Sequence, residues 1–438
     1  MPVPVVAIIG RANVGKSTLF NKLTRKRTAI VNDTPGVTRD RMYGRTEWSG
    51  KPVIVVDTGG IDFEGKTDLE HQVQEQARLA QDEADAIIFV VDHQRGVTPQ
   101  DREVIGQVRK SGKPLFLAVN KVDHPRHENG VYEFAQLGVE RVYPISAEHS
   151  LGLGGLTQDI AGGFPETEHP EKAPDAIHVA IVGKPNAGKS SLVNRILKSE
   201  RCVVSEVPGT TRDAVDSHLV YQGKNFVLID TAGIRRKGRT RKLLDKFSVI
   251  MALKALDRCD IAVLVLDGTT GITEQDATIA GYAFERGKGC VIVATKWDLV
   301  KERSRGAFEE LAREKLRFLE FAPILTVSGK TGQGLNKLLS HIGRVYEEYS
   351  RRIPTRRLND CFERAIRKNP MSSYRGKFLK MFYTTQVKNC PPTFRCFVNY
   401  PQGIHFSYRR YLTNSLRKDF GFSGTPVRLL FSSRDKGD

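Results

Sequence analysis

Residues 10–17, Gly10-Arg11-Ala12-Asn13-Val14-Gly15-Lys16-Ser17, return 173 positions later as Gly183-Lys184-Pro185-Asn186-Ala187-Gly188-Lys189-Ser190. Each copy follows a short apolar run and opens a segment of helical length, 17–23 and 190–197. In that setting GxxxxGK[ST] makes a phosphate cradle. The glycines let backbone N–H groups turn inward, and the helix N-terminus behind them favours an anion. A single copy could be an ordinary glycine turn. Two copies in one context point to two phosphate sites.

Further pairs appear on working outward. Pro35-Gly36-Val37-Thr38-Arg39-Asp40 returns as Pro208-Gly209-Thr210-Thr211-Arg212-Asp213, and Asp57-Thr58-Gly59-Gly60 as Asp230-Thr231-Ala232-Gly233, both at the offset of 173. Asn120-Lys121-Val122-Asp123 returns as Thr295-Lys296-Trp297-Asp298, offset by 175. Order and spacing kept over more than a hundred residues mark a duplicated domain. Within the first copy, 5–9, 53–56, 86–91 and 114–119 are apolar runs of strand length separated by longer polar-patterned segments. That alternation predicts an α/β fold: a doubly wound, mostly parallel sheet with helices on both faces and ligands at the carboxyl ends of its strands. The expected division is a first nucleotide domain at 1–163, an acidic, Pro-rich linker at 164–176, a second nucleotide domain at 177–350 and a basic domain at 351–438.

The motifs predict specific chemistry. Lys16 and Lys189 are expected to reach the β- and γ-phosphates, and Ser17 and Ser190 to hold Mg2+ with Asp57 and Asp230. Thr18 and Ser191 continue the two cradles. Thr38 and Thr211 are placed to complete the metal shell while a γ-phosphate is present, which makes an order–disorder switch. Thr58, Gly59 and Gly60, with Thr231, Ala232 and Gly233, bring a backbone N–H to the γ-phosphate. Asp123 and Asp298 select the base: a carboxylate pairs with the two N–H donors on guanine's edge, which adenine lacks. Lys121 and Lys296 cover the base, flanked by Val122 and Trp297. Ser146-Ala147 and Ser328-Gly329 are expected to offer N–H groups to the guanine carbonyl.

Of the 438 residues, 39% are hydrophobic and 27% charged, enough for several cores and without a disorder signature. No apolar run approaches the ~18–20 residues of a membrane span. The apolar N-terminus lacks a basic region and reads as a strand, not a signal peptide. Six cysteines with no CxxC pair argue for reduced thiols in a cytoplasmic setting and against zinc. The formal charge of +18 is unevenly spread: −3 over 1–168, +7 over 169–350 and +14 over 351–438. The basic end predicts a polyanion partner. A second basic run, six of eight residues at 235–242, is either a solvated loop or a contact that moves with the nucleotide.

Two complete motif sets in one chain, followed by a basic segment of this size, resemble the bacterial tandem GTPase family Der/EngA along essentially the whole sequence. The resemblance implies two P-loop G domains, a C-terminal KH-like domain, GTP/GDP as ligand and Mg2+ as cofactor. It also implies a role in assembling the large ribosomal subunit, with that subunit or its precursor and rRNA as partners and a monomer off the ribosome. Three positions depart from the family pattern: Thr295 for Asn, Gly329 for Ala and Ala12 for Pro. Ile61 and Ile234 stand where many GTPases carry a water-orienting Gln, and isoleucine cannot hydrogen bond to water. In related hydrophobic-substituted GTPases the Asn matching Asn13 and Asn186 helps hold K+ against the phosphates, so slow, K+-stimulated hydrolysis is expected. The tail reads as helix 355–368, strands 377–384 and 393–399, helix 405–419 and strand 426–431. It has no GxxG, the loop with which KH domains clamp RNA. Arg and Lys interleaved with Tyr374, 380–383 and 408–411 are its candidate RNA contacts. Two alternatives stay open: a GTP-gated RNA scaffold with little turnover at one site, and a tRNA-modifying GTPase of the same branch, disfavoured by the second G domain and the cysteine-free C-terminus.

Overall fold

The computed structural model describes residues 3–24, 43–58, 84–165, 176–199, 203–204, 216–230, 244–300 and 305–433. The expectations placed on Thr38, Thr211, Gly59–Ile61, 231–234, the basic run 235–242 and most of the linker fall outside those residues.

In the first unit, six strands lie in the order β2-β3-β1-β4-β5-β6. They are β1 (Val5–Ile9), β2 (Tyr43–Trp48), β3 (Lys51–Asp57), β4 (Ala86–Asp92), β5 (Leu115–Asn120) and β6 (Val142–Pro144). All neighbours pair parallel except β2 with β3. Alternate residues serve opposite faces: Val6 and Ile8 enter one apolar cluster with Leu19 and Phe20, while Ala7 and Ile9 enter another with Val104 and Phe134. This two-sided burial explains why the strands read as unbroken apolar runs. Helices α1 (Lys16–Thr24), α2 (Pro99–Arg109) and α3 (Leu153–Gly162) cover the faces.

The second unit repeats the plan in seven strands, ordered β13-β12-β11-β7-β10-β9-β8. Here β7 is Ala176–Val182, β8 Val203–Val204, β9 Ser217–Tyr221, β10 Lys224–Ile229, β11 Ile261–Asp267, β12 Gly289–Thr295 and β13 Ile324–Thr326. The helices are α4 (Lys189–Leu197), α5 (Leu244–Arg258), α6 (Glu274–Glu285), α7 (Arg305–Lys315) and α8 (Leu335–Ser350). Helices α2 and α6 open on matching capping boxes, Thr98/Asp101 and Thr273/Asp276, which satisfy the first backbone donors.

Composition misplaced both ends of the linker. Phe164 is buried in the first core and its carbonyl accepts from Lys51 Nζ, while Ala176 already belongs to β7. A polar average over the segment hides two residues anchored by neighbours distant in sequence.

The C-terminal segment runs α9 (Thr355–Lys368), a two-residue ladder β14/β15 (Ser373–Tyr374 with Lys377–Phe378), β16 (Met381–Lys388), β17 (Thr393–Val398), α10 (Phe406–Phe420) and β18 (Arg428–Ser433). Strand β16 pairs antiparallel and β18 parallel with β17. The single strand expected at 377–384 is instead two pieces. Asn399 Oδ1 accepts from Lys380 N at 2.9 Å and its Nδ2 donates to Phe378 O at 2.8 Å, so a side chain replaces the ladder there. The segment clusters with the second nucleotide domain in one compact unit. Cys290 N donates to Gly424 O at 2.7 Å, Arg428 Nη2 to Glu285 O at 2.8 Å, and Phe422 N to Glu348 Oε2 at 2.9 Å.

Candidate functional site: two duplicated pockets at the strand ends

Strand β1 ends at Ile9, and the chain turns at Gly10 with φ 155°, as β7 turns at Gly183 with φ 156°. A Cβ at either glycine would lie 2.3 Å from the carbonyl of Val90 or Val265 on the adjacent strand, so only glycine passes. Asn13 and Asn186 then adopt left-handed backbone, φ 64° and 59°, with exposed side chains. Each loop closes on its lysine. Lys16 Nζ donates to Gly10 O at 2.8 Å and Arg11 O at 2.7 Å; Lys189 Nζ donates to Gly183 O at 2.7 Å and Lys184 O at 2.6 Å. Burial pulls the Lys16 ammonium below the ordinary lysine range, while the Asp57 carboxylate opposes that shift. Asp57 itself is buried at the end of β3, opposite Ile8 of β1. Ser17 and Ser190 stand exposed in the first helical turns.

The base-side loops follow β5 and β12. Lys121 and Lys296 both have positive φ, 68° and 54°, and each ammonium pairs with the aspartate ending the neighbouring strand: Lys121 with Asp92 at 2.7 Å, Lys296 with Asp267 at 2.6 Å. Asp123 and Asp298 are exposed, and Asp123 Oδ1 accepts from Ser146 Oγ at 2.7 Å. Val122 N and Trp297 N donate to Ile145 O and Val327 O, each one residue past the end of β6 or β13, which holds each base loop to the loop after the following strand.

One side chain per copy ties base loop to phosphate loop, and here the copies differ. Asn120 Nδ2 donates to Val14 O at 2.8 Å while its Oδ1 accepts from Ala147 N at 2.9 Å. Asn120 therefore joins three loops. Thr295 directs its hydroxyl at Ala187 O and Leu266 O and makes no bond to Gly329. The repeat thus keeps the tie to the phosphate loop and loses the tie to the third loop.

The structure revises several expectations. Ser146 N donates to Leu151 O and Ala147 N to Asn120, so both N–H groups expected for guanine are engaged within the protein; Ser328 N likewise donates to Gln333 O. The Thr58 hydroxyl is buried and donates to Ile8 O at 2.7 Å, fixing the strand end rather than facing a ligand. The side chains of Arg11 and Lys184 turn to Asp101 and Asp276, both at 3.4 Å, and Val14 and Ala187 are core. The side chains of those four engage the protein itself. Tyr408 and Tyr411, proposed RNA contacts, spend their hydroxyls on Asn369 O and Ala365 O at the end of α9.

The motif reading missed Asp92/Asp267 and Asp101/Asp276. Both pairs recur at the offset of 175 and were there to be found by extending the repeat. It also missed Asp216, whose Oδ1 accepts from Asp230 N at 2.9 Å and whose carboxylate pairs with Arg258. Tyr43 occupies the first copy's equivalent position, so no repeat signal exists for it.

Two segments, 5–121 and 178–296, match the family described as 50S ribosome-binding GTPase, and 352–432 match the KH-domain-like C-terminal family of EngA bacterial GTPase enzymes. GTPase Der of Geotalea daltonii is 46% identical over 434 residues, covering 99% of this chain and 98% of that protein. The chain belongs to the GTPase Der family. GTPase Der of Desulfitobacterium hafniense is 48% identical over 439 residues, covering 100% and 99%. Among solved structures, the FeoB G domain of Methanococcus jannaschii matches 37% of this chain and 97% of its own at 27% identity, with a TM-score of 0.28. As a Der-family member the chain is a P-loop GTPase with two G domains and a KH-like domain. Among the described residues no helix is long and apolar enough to cross a membrane.

Proposed function

We propose that both pockets bind guanine nucleotide through the motif residues and hydrolyse GTP, and that the chain uses the two sites as a switch on the large ribosomal subunit or its precursor, contacting rRNA. The observation that carries this reading is the duplicated wiring: each base loop is tethered to its own phosphate loop by one buried polar side chain, Asn120 or Thr295. Such a tether makes occupancy of the base pocket and order in the phosphate loop one event, which a nucleotide-gated switch requires.

Within each site the loop N–H groups and Lys16 or Lys189 carry the phosphate charge, and Asp123 or Asp298 reads the base. Ser17, Thr38 and Asp57, with Ser190, Thr211 and Asp230, supply hard oxygen donors of the kind Mg2+ prefers. The exposed first-turn hydroxyls and strand-end carboxylates fit that ion. Bound there, it would offset charge on the β- and γ-phosphates. Asn13 and Asn186 present exposed amides from left-handed backbone, and their carbonyl oxygens are suited to K+, which would add positive charge where an arginine finger acts in other GTPases. Ile61 and Ile234 cannot hydrogen bond to the attacking water, and the backbone N–H groups expected from Gly60 and Gly233 are directed to the γ-phosphate.

Lys16→Ala and Lys189→Ala, assayed separately, are each expected to remove hydrolysis at one site and leave turnover at the other. Unchanged turnover in both would reject catalysis at these pockets. Co-sedimentation with large ribosomal subunits under GDP, GTP and a non-hydrolysable analogue tests the partner: nucleotide-independent or absent binding would sink it. Thr295 favours one variation, a second site that holds nucleotide less tightly and turns over little.

A further inference from the structure

Residues 364–418 contain twelve Lys and Arg and not one Asp or Glu. Within that stretch lies a group of exposed aromatics on or beside the edge strand β16: Phe378 is 85% exposed, Phe382 40% and Tyr383 43%. Apolar rings grouped at the surface mark a contact site, whereas single scattered ones need no explanation. Three features show that this surface is built. Phe378 carries its ring into solvent while Asn399 bonds the carbonyl of Phe378 and the amide of Lys380, so the backbone presenting the ring is clamped on both sides. Tyr383 stacks on Phe397 of the neighbouring strand, centroids 4.3 Å apart and planes 20° from parallel. Lys380 Nζ lies 5.8 Å from the Phe382 ring centroid, and exposed Arg395 shares the outer face of β17 with Phe397, because Phe394, Cys396 and Val398 point into the core.

We propose that the outer face of β16 and β17, with Phe378 at its margin, is a stacking platform for the unpaired bases of an RNA strand, whose phosphates run along Lys377, Lys380 and Arg395. This deepens the RNA reading given above and rests on it, and it assigns the contact to a sheet face rather than to a GxxG loop. Flat aromatic faces interleaved with cations suit bases splayed out of a helix. A duplex keeps its base faces stacked inside the helix, and a segment with twelve cations and no carboxylate of its own favours an anionic partner over a basic one.

The experiment uses the full chain and fluorescence anisotropy with a labelled twelve-nucleotide single-stranded RNA and a twelve-base-pair RNA duplex. The single strand is expected to bind more tightly. Phe378→Ala with Tyr383→Ala is expected to weaken single-strand binding at least ~10-fold without altering its salt dependence, since stacking carries no counterion release. Phe378→Trp with Tyr383→Trp, which keeps the ring faces, is expected to retain binding and shows that the alanine effect is not misfolding. Lys377→Ala with Lys380→Ala is expected to lower the slope of log affinity against log salt by about 1.4. An alanine variant within two-fold of the parent, or equal affinity for duplex and single strand, overturns the platform. If that variant still co-sediments with large subunits and hydrolyses GTP, the platform alone fails and the switch reading stands.

Discussion

Asn120→Ala tests the wiring that distinguishes the two pockets. Asn120 is 3% exposed and makes two buried bonds, to Val14 O at 2.8 Å and from Ala147 N at 2.9 Å. Truncation strips a partner from two buried backbone groups, and each unsatisfied group costs about 1–3 kcal/mol. At the lower end this is about 2 kcal/mol. Guanine nucleotide must engage the phosphate loop and the base loop together, so the loss falls on binding, as a roughly 30-fold weaker Kd at the first site. Asn120→Thr copies the second pocket. It keeps the bond to the phosphate loop and loses the one to Ala147, for about 1 kcal/mol and ~5-fold. Thr295→Asn is the mirror experiment and should tighten the second site by a similar factor. The assay is calorimetric titration with GDP in a Lys189→Ala background for the first site and a Lys16→Ala background for the second. Binding by Asn120→Ala within three-fold of its parent would refute the claim that this side chain couples the loops.

Three other outcomes are expected. Arg258→Ala leaves Asp216 without its cation beneath Asp230; with Arg258 partly exposed, the full cost of breaking a buried pair is discounted to about 1–3 kcal/mol, read as a lower denaturation midpoint and a raised Mg2+ requirement at the second site alone. GTP hydrolysis should run several-fold faster in KCl than in NaCl, and Asn13→Ala with Asn186→Ala should abolish the difference; equal parent rates in both salts would remove the potassium role. Burial first, and then its hydrogen bond to Asp159, push the Tyr143 hydroxyl up to about 12 from 10.0. Its raised folded value means the contribution is intact below pH 10 and is lost as pH rises through about 12, so Tyr143→Phe should flatten stability between those limits, and denaturant titrations with the parent's slope would contradict this.

Much of the fold was legible because the informative signals were local. Strands β1 and β4 are continuous apolar runs because both faces are covered, and the glycine at position 10 is required by a carbonyl 2.3 Å from where a Cβ would sit. Less legible was which part of a motif residue works. Arg11 and Lys184 sit inside the phosphate loop, yet their side chains answer to capping aspartates ninety residues on. Ala147 N lies in a base-pocket motif, yet in the fold it donates to Asn120 Oδ1, a residue 27 positions earlier.

Sequence alone determined the duplication, the parallel α/β plan, the ligand class implied by Lys16, Asp123 and their repeats, and the concentration of positive charge after residue 350. These depend on residue type and spacing, which the chain carries in one dimension. Tertiary structure decided that Thr295 keeps the tie to the phosphate loop and drops the one to the third loop, how Asp216 and Arg258 brace Asp230, and that the basic segment packs as one unit with the second G domain. Each of those is a contact between groups far apart in the chain, and a hydrogen bond's partner is set by where the fold brings two atoms within about 3 Å, not by the residues on either side of them.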